Sequence, residues 1–188
     1  PIMNVGGMLL FKVLNTDSTN EILPSSKEIS VKLIIIYIIL TLLCCFSYKF
    51  FGMNVFDSLT HSMTTIATGG FSNYNESIGY FDNIKIESTA IFFIILGSVP
   101  FITYIKFMSG NKKIFLSDSQ IKTFIKLIIL SIVVLFCYLL IKDNNFSLSN
   151  IRSISFNVIS ILTGTGYVTQ GFDKWGSFPL FYFLILMF

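Results

Sequence analysis

Two short runs concentrate the residues that can do chemistry: Ala67-Thr68-Gly69-Gly70-Phe71-Ser72 and Thr163-Gly164-Thr165-Gly166-Tyr167-Val168. Glycine reaches backbone torsions closed to other residues, so successive carbonyl oxygens in such a run can turn toward one axis. Rings of carbonyl oxygens replace the hydration shell of a cation such as potassium. Thr68, Thr163 and Thr165 add hydroxyls, and neither run carries a fixed charge. A neutral, oxygen-lined site suits a monovalent cation better than an anion or an apolar solute. Plain interhelical turns would use the same glycines, so the flanking elements have to decide.

Each run follows a segment of helical period. Over 55–66, Phe56, Leu59, Met63 and Ile66 recur at spacings of three, four and three, with Asn54 as N-cap and Asp57 in the first turn. Over 150–162, Ile151, Ile154, Val158 and Ile161 repeat the pattern. A helix of either length reaches about 18–20 Å, too short for about 30 Å of hydrocarbon. A short helix followed by irregular, glycine-rich backbone reads as a segment that enters the membrane part-way. Such backbone survives at depth only where it is buried in protein or lines water. The helix also turns its partially negative C-terminus toward the loop.

Around these lie stretches long and apolar enough to span: 31–51, 88–108 and 123–141, with 177–188 beginning another. The second carries Gly97 and Pro100, where a kink is expected. The order span, short helix, glycine loop, span recurs at one constant offset, which places Gly70 on Gly166, Phe71 on Tyr167 and Thr64 on Ser160. An internal repeat of this kind is typical of membrane transport folds. It divides the chain into a cytoplasmic connecting segment (1–30), a complete repeat (31–108, pore helix 55–66, loop 67–72), a cytoplasmic loop (109–122) and a partial repeat (123–188, pore helix 150–162, loop 163–168, truncated last helix).

Composition agrees. Of 188 residues, 53% are hydrophobic and 12% charged, and 21 are Phe; mean hydropathy is +0.76. A water-soluble domain of this size could not hide that much apolar surface. The expected fold class is an all-α membrane protein. The net charge of +3 is spread along the chain, which argues against nucleic-acid binding. Lys and Arg placement, densest at Lys112-Lys113, puts 109–122 on the cytoplasmic side. The start at Pro1 and the end inside an apolar run read as a piece of a longer polypeptide. Cys44, Cys45 and Cys137 sit in apolar runs without zinc-ligand spacing and read as packing residues. His61 reads as a local hydrogen-bonding group rather than a metal ligand. Asp57, Glu76, Asp82 and Glu87 read as solvated charges on the outer side, and Arg152 as a snorkelling or phosphate-facing residue.

The residues themselves resemble a known family. Residues 62–82 (SMTTIATGGFSNYNESIGYFD) and 159–175 (ISILTGTGYVTQGFDKW) are similar to the second and third pore segments of the Trk/Ktr/HKT potassium-uptake transporters. Residues 1–10 (PIMNVGGMLL) resemble the stretch before the second repeat in the Trk branch. The resemblance implies four membrane–pore–membrane repeats around one conduction path, each giving one filter glycine. By motif these are Gly70 and Gly166, with Ala67, Thr68 and Gly69, and Thr163, Gly164 and Thr165, as the adjoining carbonyl suppliers to potassium. Tyr167 stands where the family commonly has Phe, and Gly164 where it commonly has Thr. The resemblance further implies a homodimer of the full-length protein in the bacterial inner membrane, with a cytosolic nucleotide-binding regulatory subunit.

The function expected is potassium uptake by permeation through backbone-carbonyl loops, alone or coupled to a second ion. No cofactor is expected beyond potassium as the transported ligand. The alternative is an accessory membrane subunit whose glycine loops pack helices. An enzyme is disfavoured, because the spans hold no HExxH, no paired intramembrane carboxylates and no Ser/His/Asp arrangement.

Overall fold

The computed structural model describes residues 26–108, 110, 113–142 and 148–187. Most of the 1–30 connecting segment, and Lys112 within the 109–122 loop, lie outside the described residues. All regular structure among them is helical: α1 (Ser26–Phe50), α2 (Val55–Ile66), α3 (Ile84–Ser98), α4 (Phe101–Met108), α5 (Ile114–Ser117), α6 (Ser119–Lys142), α7 (Leu148–Leu162) and α8 (Ser177–Leu186). Single 3-10 turns cover Ser77–Phe81 and Phe172–Trp175. The chain is an all-α membrane protein.

α1 and α6, at 25 and 24 residues, rise about 36 Å and are long and apolar enough to cross. Ile34, Phe46, Leu130 and Val133 are exposed on them, an arrangement that costs nothing against lipid tails. Because lipid is as apolar as Leu, burial alone does not hold such helices together; fit and hydrogen bonds must. One core joins Cys44, Tyr48, Met53, Ile66, Ala90 and Ile94 of the first repeat to Phe156, Ile159 and Tyr167 of the second. A smaller one packs Leu135 and Leu139 against Ile154, Val158, Ile161 and Phe183. The two repeats therefore share their interior.

The expected 88–108 span is broken rather than merely kinked, and the break is not at Gly97. α3 and α4 meet at 81°. Pro100 lacks the N–H that would continue the ladder and drives Val99 into extended backbone (φ −70°, ψ 135°). The freed carbonyl of Leu96 accepts from the Tyr104 hydroxyl at 2.7 Å, so the break is satisfied internally. Gly97 has another task. A Cβ there would sit 2.6 Å from the Ile66 carbonyl oxygen, so the missing side chain lets α3 lie against the end of α2. α7 also begins earlier than its sequence period indicates, at Leu148.

Candidate ion-conducting site

Each glycine loop leaves its short helix by the same backbone route. Ala67 N–H donates to Met63 O and Thr163 N–H to Ile159 O, both at 3.1 Å. Thr68 N–H donates to Thr65 O (3.1 Å) and Gly164 N–H to Ile161 O (3.0 Å). The Thr64 hydroxyl donates to Phe71 O at 3.0 Å, and its counterpart Ser160 to Tyr167 O at 2.7 Å. Left-handed residues fall at equivalent places: Thr68 (φ 49°) with Gly164 (φ 71°), and Gly70 (φ 66°) with Gly166 (φ 83°). The constant offset seen in the sequence is thus a repeat of hydrogen bonds and torsions. It also explains the Thr and Gly at 68 and 164. One left-handed position is filled once by a strained β-branched residue and once by glycine.

The structure brings the two loops side by side. An added Cβ on Gly70 would fall 1.8 Å from Thr165 O and 3.3 Å from Gly166 C. Backbone therefore meets backbone at the helix ends, with no side chain between. Gly69 N–H donates to Thr64 O (2.8 Å) and Gly166 N–H to Ser160 O (3.2 Å). The Thr68 hydroxyl turns back to Ala67 O at 2.8 Å. Thr163 and Thr165 share a hydroxyl–hydroxyl bond of 2.8 Å, and Thr163 also reaches Ile159 O at 2.8 Å. These hydroxyls are occupied in shaping the loops. A cavity of about 320 Å³ is lined by Ser160, Thr163, Gly164, Gly166 and Met187 among others. Among the described residues, no group of three or more His, Cys, Asp or Glu could hold a metal ion.

Several polar residues behave otherwise than their types imply. Asp57 is only 3% exposed and is not a solvated entrance charge. Its carboxylate accepts from Asn54 (2.7 Å), Asn73 (2.8 Å) and Tyr74 (2.7 Å), which clamps the outgoing chain to the start of α2. Burial works against its ionisation, but the bonds from Asn73 and Tyr74, His61 nearby and the bond from Asn54 hold it below the usual carboxylate range. The Tyr74 hydroxyl, bound to that carboxylate, is pushed up to about 12. Asn54 also caps α2, accepting from Asp57 N–H at 2.7 Å. Glu87, likewise 3% exposed, pairs with Arg152 at 3.0 Å, too far off axis for a hydrogen bond. That pair joins α3 to α7, so Arg152 is neither snorkelling nor phosphate-facing. His61 bonds locally, to Asp57 O (2.9 Å) and Ser72 Oγ (3.0 Å).

Sequence reasoning missed the contacts between repeats. Gly79 N–H donates to Val168 O at 3.1 Å, and Val168 N–H to Ser77 Oγ at 3.2 Å. The 3-10 turn after the first loop thus lies on the exit of the second. No local pattern in the sequence marks these contacts, because partners such as Ser77 and Val168 lie 91 residues apart.

Two short helices ending in glycine loops that meet backbone to backbone, with long apolar helices and one broken span packed around them, define a membrane transport fold. Residues 11–188 match the TrkH family of cation transport proteins, and the chain belongs to that family. It is 31% identical over its whole length to the Trk system potassium uptake protein TrkI of Halomonas elongata, covering 38% of that protein. It is 32% identical to TrkH of Escherichia coli K12, again over the whole chain and 39% of the relative. The crystal structure of the potassium transporter TrkH from Vibrio parahaemolyticus superposes with a TM-score of 0.82 at 28% identity, over 95% of this chain and 39% of that one. The chain therefore spans about 39% of the length of the relatives it matches. The family is one of transporters, not enzymes.

Proposed function

We propose that this chain supplies two of four pore-lining units to a potassium-uptake protein, and that Gly70 and Gly166, with Ala67, Thr68, Gly69, Thr163, Gly164 and Thr165, provide backbone carbonyls to the ion. The observation that carries this reading is the approach of Gly70 to the Thr165 carbonyl. Two uncharged loops, each at the C-terminus of a short helix, meet with bare backbone, as a dehydrated monovalent cation requires. The names of its relatives, potassium uptake proteins and a potassium transporter, support potassium as the cargo. Repeats over 31–108 and 123–188 around one path leave Phe71, 77% exposed here, to face the preceding unit. Family resemblance supports a homodimer in the bacterial inner membrane, with 109–122 on the cytoplasmic side beside a nucleotide-binding subunit. Rubidium uptake by the full-length protein tests the reading. Uptake should fall, or admit sodium, when Gly70 or Gly166 is replaced. Uptake indifferent to both changes returns the loops to helix packing.

A further inference from the structure

Tyr167 is 1% exposed although it sits in a loop. Its hydroxyl lies within hydrogen-bond distance of Thr64 Oγ1 on α2, and 3.3 Å from both Thr65 Oγ1 and His61 O. Thr65 is bonded in turn to the Tyr48 hydroxyl of α1 at 2.9 Å. The ring packs beside His61, centroids 6.3 Å apart. A tyrosine hydroxyl and a threonine hydroxyl carry one proton each. The nearest carbonyl to Thr64 Oγ1 is Phe71 O at 3.0 Å, ahead of His61 O at 3.2 Å and Thr60 O at 3.3 Å. Giving the Tyr167 proton to Thr64, which is nearer than His61 O, leaves the Thr64 proton for Phe71 O, its nearest carbonyl. One relay then runs from the second glycine loop, through the pore helix of the first repeat, to the backbone of the first loop. Phe71, the counterpart of Tyr167, has no hydroxyl, so the link is particular to this side of the pore.

We propose that Tyr167 is a positioning residue that, through Thr64, fixes the spacing of the two loops and thereby the discrimination between potassium and sodium. The proposal rests on the pore reading above. Its physical basis is that the smaller ion is served only if carbonyls move inward. A relay with its Tyr167 end buried, anchored at Tyr167 O by Ser160 and at Phe71 O by Thr64, opposes that movement from both loops.

The test uses the full-length protein in vesicles, reading rubidium and sodium uptake from the same preparation, with thermal melting as the folding control. Tyr167→Phe keeps the ring and its packing and removes only the hydroxyl. It should lower the rubidium-to-sodium ratio about three- to tenfold, the scale of one buried hydrogen bond. Thr64→Val should do the same from the other end of the relay, and the double variant should be no worse than the poorer single. Thr64→Ser should retain the wild-type ratio. A wild-type ratio in Tyr167→Phe and Thr64→Val, or fully additive losses in the double variant, overturns the relay alone. Absence of rubidium flux in the wild-type protein overturns the pore reading and the relay with it.

Discussion

Gly70→Ala is the sharpest perturbation the geometry offers. Its added Cβ would stand 1.8 Å from Thr165 O and 2.8 Å from Thr165 C. Reaching ordinary contact requires the two loops to part by at least ~1.5 Å. The obstacle is backbone carbonyl, which no rotamer change can move aside. The torsion at Gly70, φ 66°, adds about 1–2 kcal/mol of left-handed strain for any residue with a Cβ. Strain of that size lowers stability without abolishing the fold. If the loops hold the ion as proposed, parting them withdraws a carbonyl from it, and interactions with a charged group are worth about 1.5–3 kcal/mol. That corresponds to roughly a ten- to hundredfold loss of rubidium uptake relative to sodium. Uptake of both ions into vesicles, alongside melting of the purified full-length protein, separates the two effects. Gly52→Ala is the control. Gly52 has φ 110° and nothing within 4 Å of an added Cβ, so it should lower melting and leave the ion ratio alone. A wild-type ratio in Gly70→Ala, or an equal loss in Gly52→Ala, would refute the assignment of selectivity to the Gly70–Thr165 contact.

Other substitutions probe the frame around the loops. Thr68→Gly should not lower the melting temperature, because it relieves a β-branched residue at φ 49° at the position Gly164 fills in the other loop; a drop of several degrees would contradict the equivalence of the two sites. Gly79→Ala places a Cβ 2.4 Å from Thr169 O and should cost about 1–3 kcal/mol, read as a lower melting temperature, since overpacking here pries a turn off the second loop. Asp57 has its folded pKa lowered, so its contribution is present above the unfolded carboxylate range and is lost as pH falls through that lowered value. The melting difference between wild type and Asp57→Asn should therefore be full at neutral pH and shrink below about pH 4; a difference that grows toward acid would reverse the sign. Arg152→Gln should destabilise more than Glu87→Gln, because the stranded Glu87 side chain is 3% exposed whereas Arg152, at 23%, can still reach water; the opposite order of melting temperatures would show that the pair is not what holds α3 to α7.

What was legible in the sequence was whatever repeats or is local. The apolar period before each glycine loop, the Asn54 cap and the offset that sets Thr64 on Ser160 are properties of neighbouring residues or of one unit copied. The structure gives each a matching bond, down to Thr64 to Phe71 O and Ser160 to Tyr167 O. Glu76 and Asp82 are exposed as expected, but Asp57 and Glu87 were misread for a physical reason. Neither Asp57, at a helix start, nor Glu87, closing a polar stretch, carries a local mark of burial, and two of the three donors that hold Asp57 come from Asn73 and Tyr74, beyond the reach of any helix rule. Gly97 was misread similarly. A glycine near a proline looks like a hinge, yet this one is small because the Ile66 carbonyl passes beside it, and the break belongs to Pro100 alone.

Those misreadings share a direction. Each residue whose task the sequence hid acts across elements or across repeats: Glu87 with Arg152, Gly79 with Val168 and Thr169, Tyr167 with Thr64, Gly70 with Thr165. A pore formed where several units meet cannot be specified within one of them. Each loop obtains its shape from its own short helix, through bonds that both copies make alike. The distance between loops depends on contacts that the copies do not share, such as a hydroxyl at Tyr167 and none at Phe71. In the proposed pore, loop shape would set which oxygens face the ion, and inter-loop distance how closely they surround it. The first is repeated and so readable in the sequence; the second rests on single, unrepeated residues, and substitutions there should alter ion preference before they alter the fold.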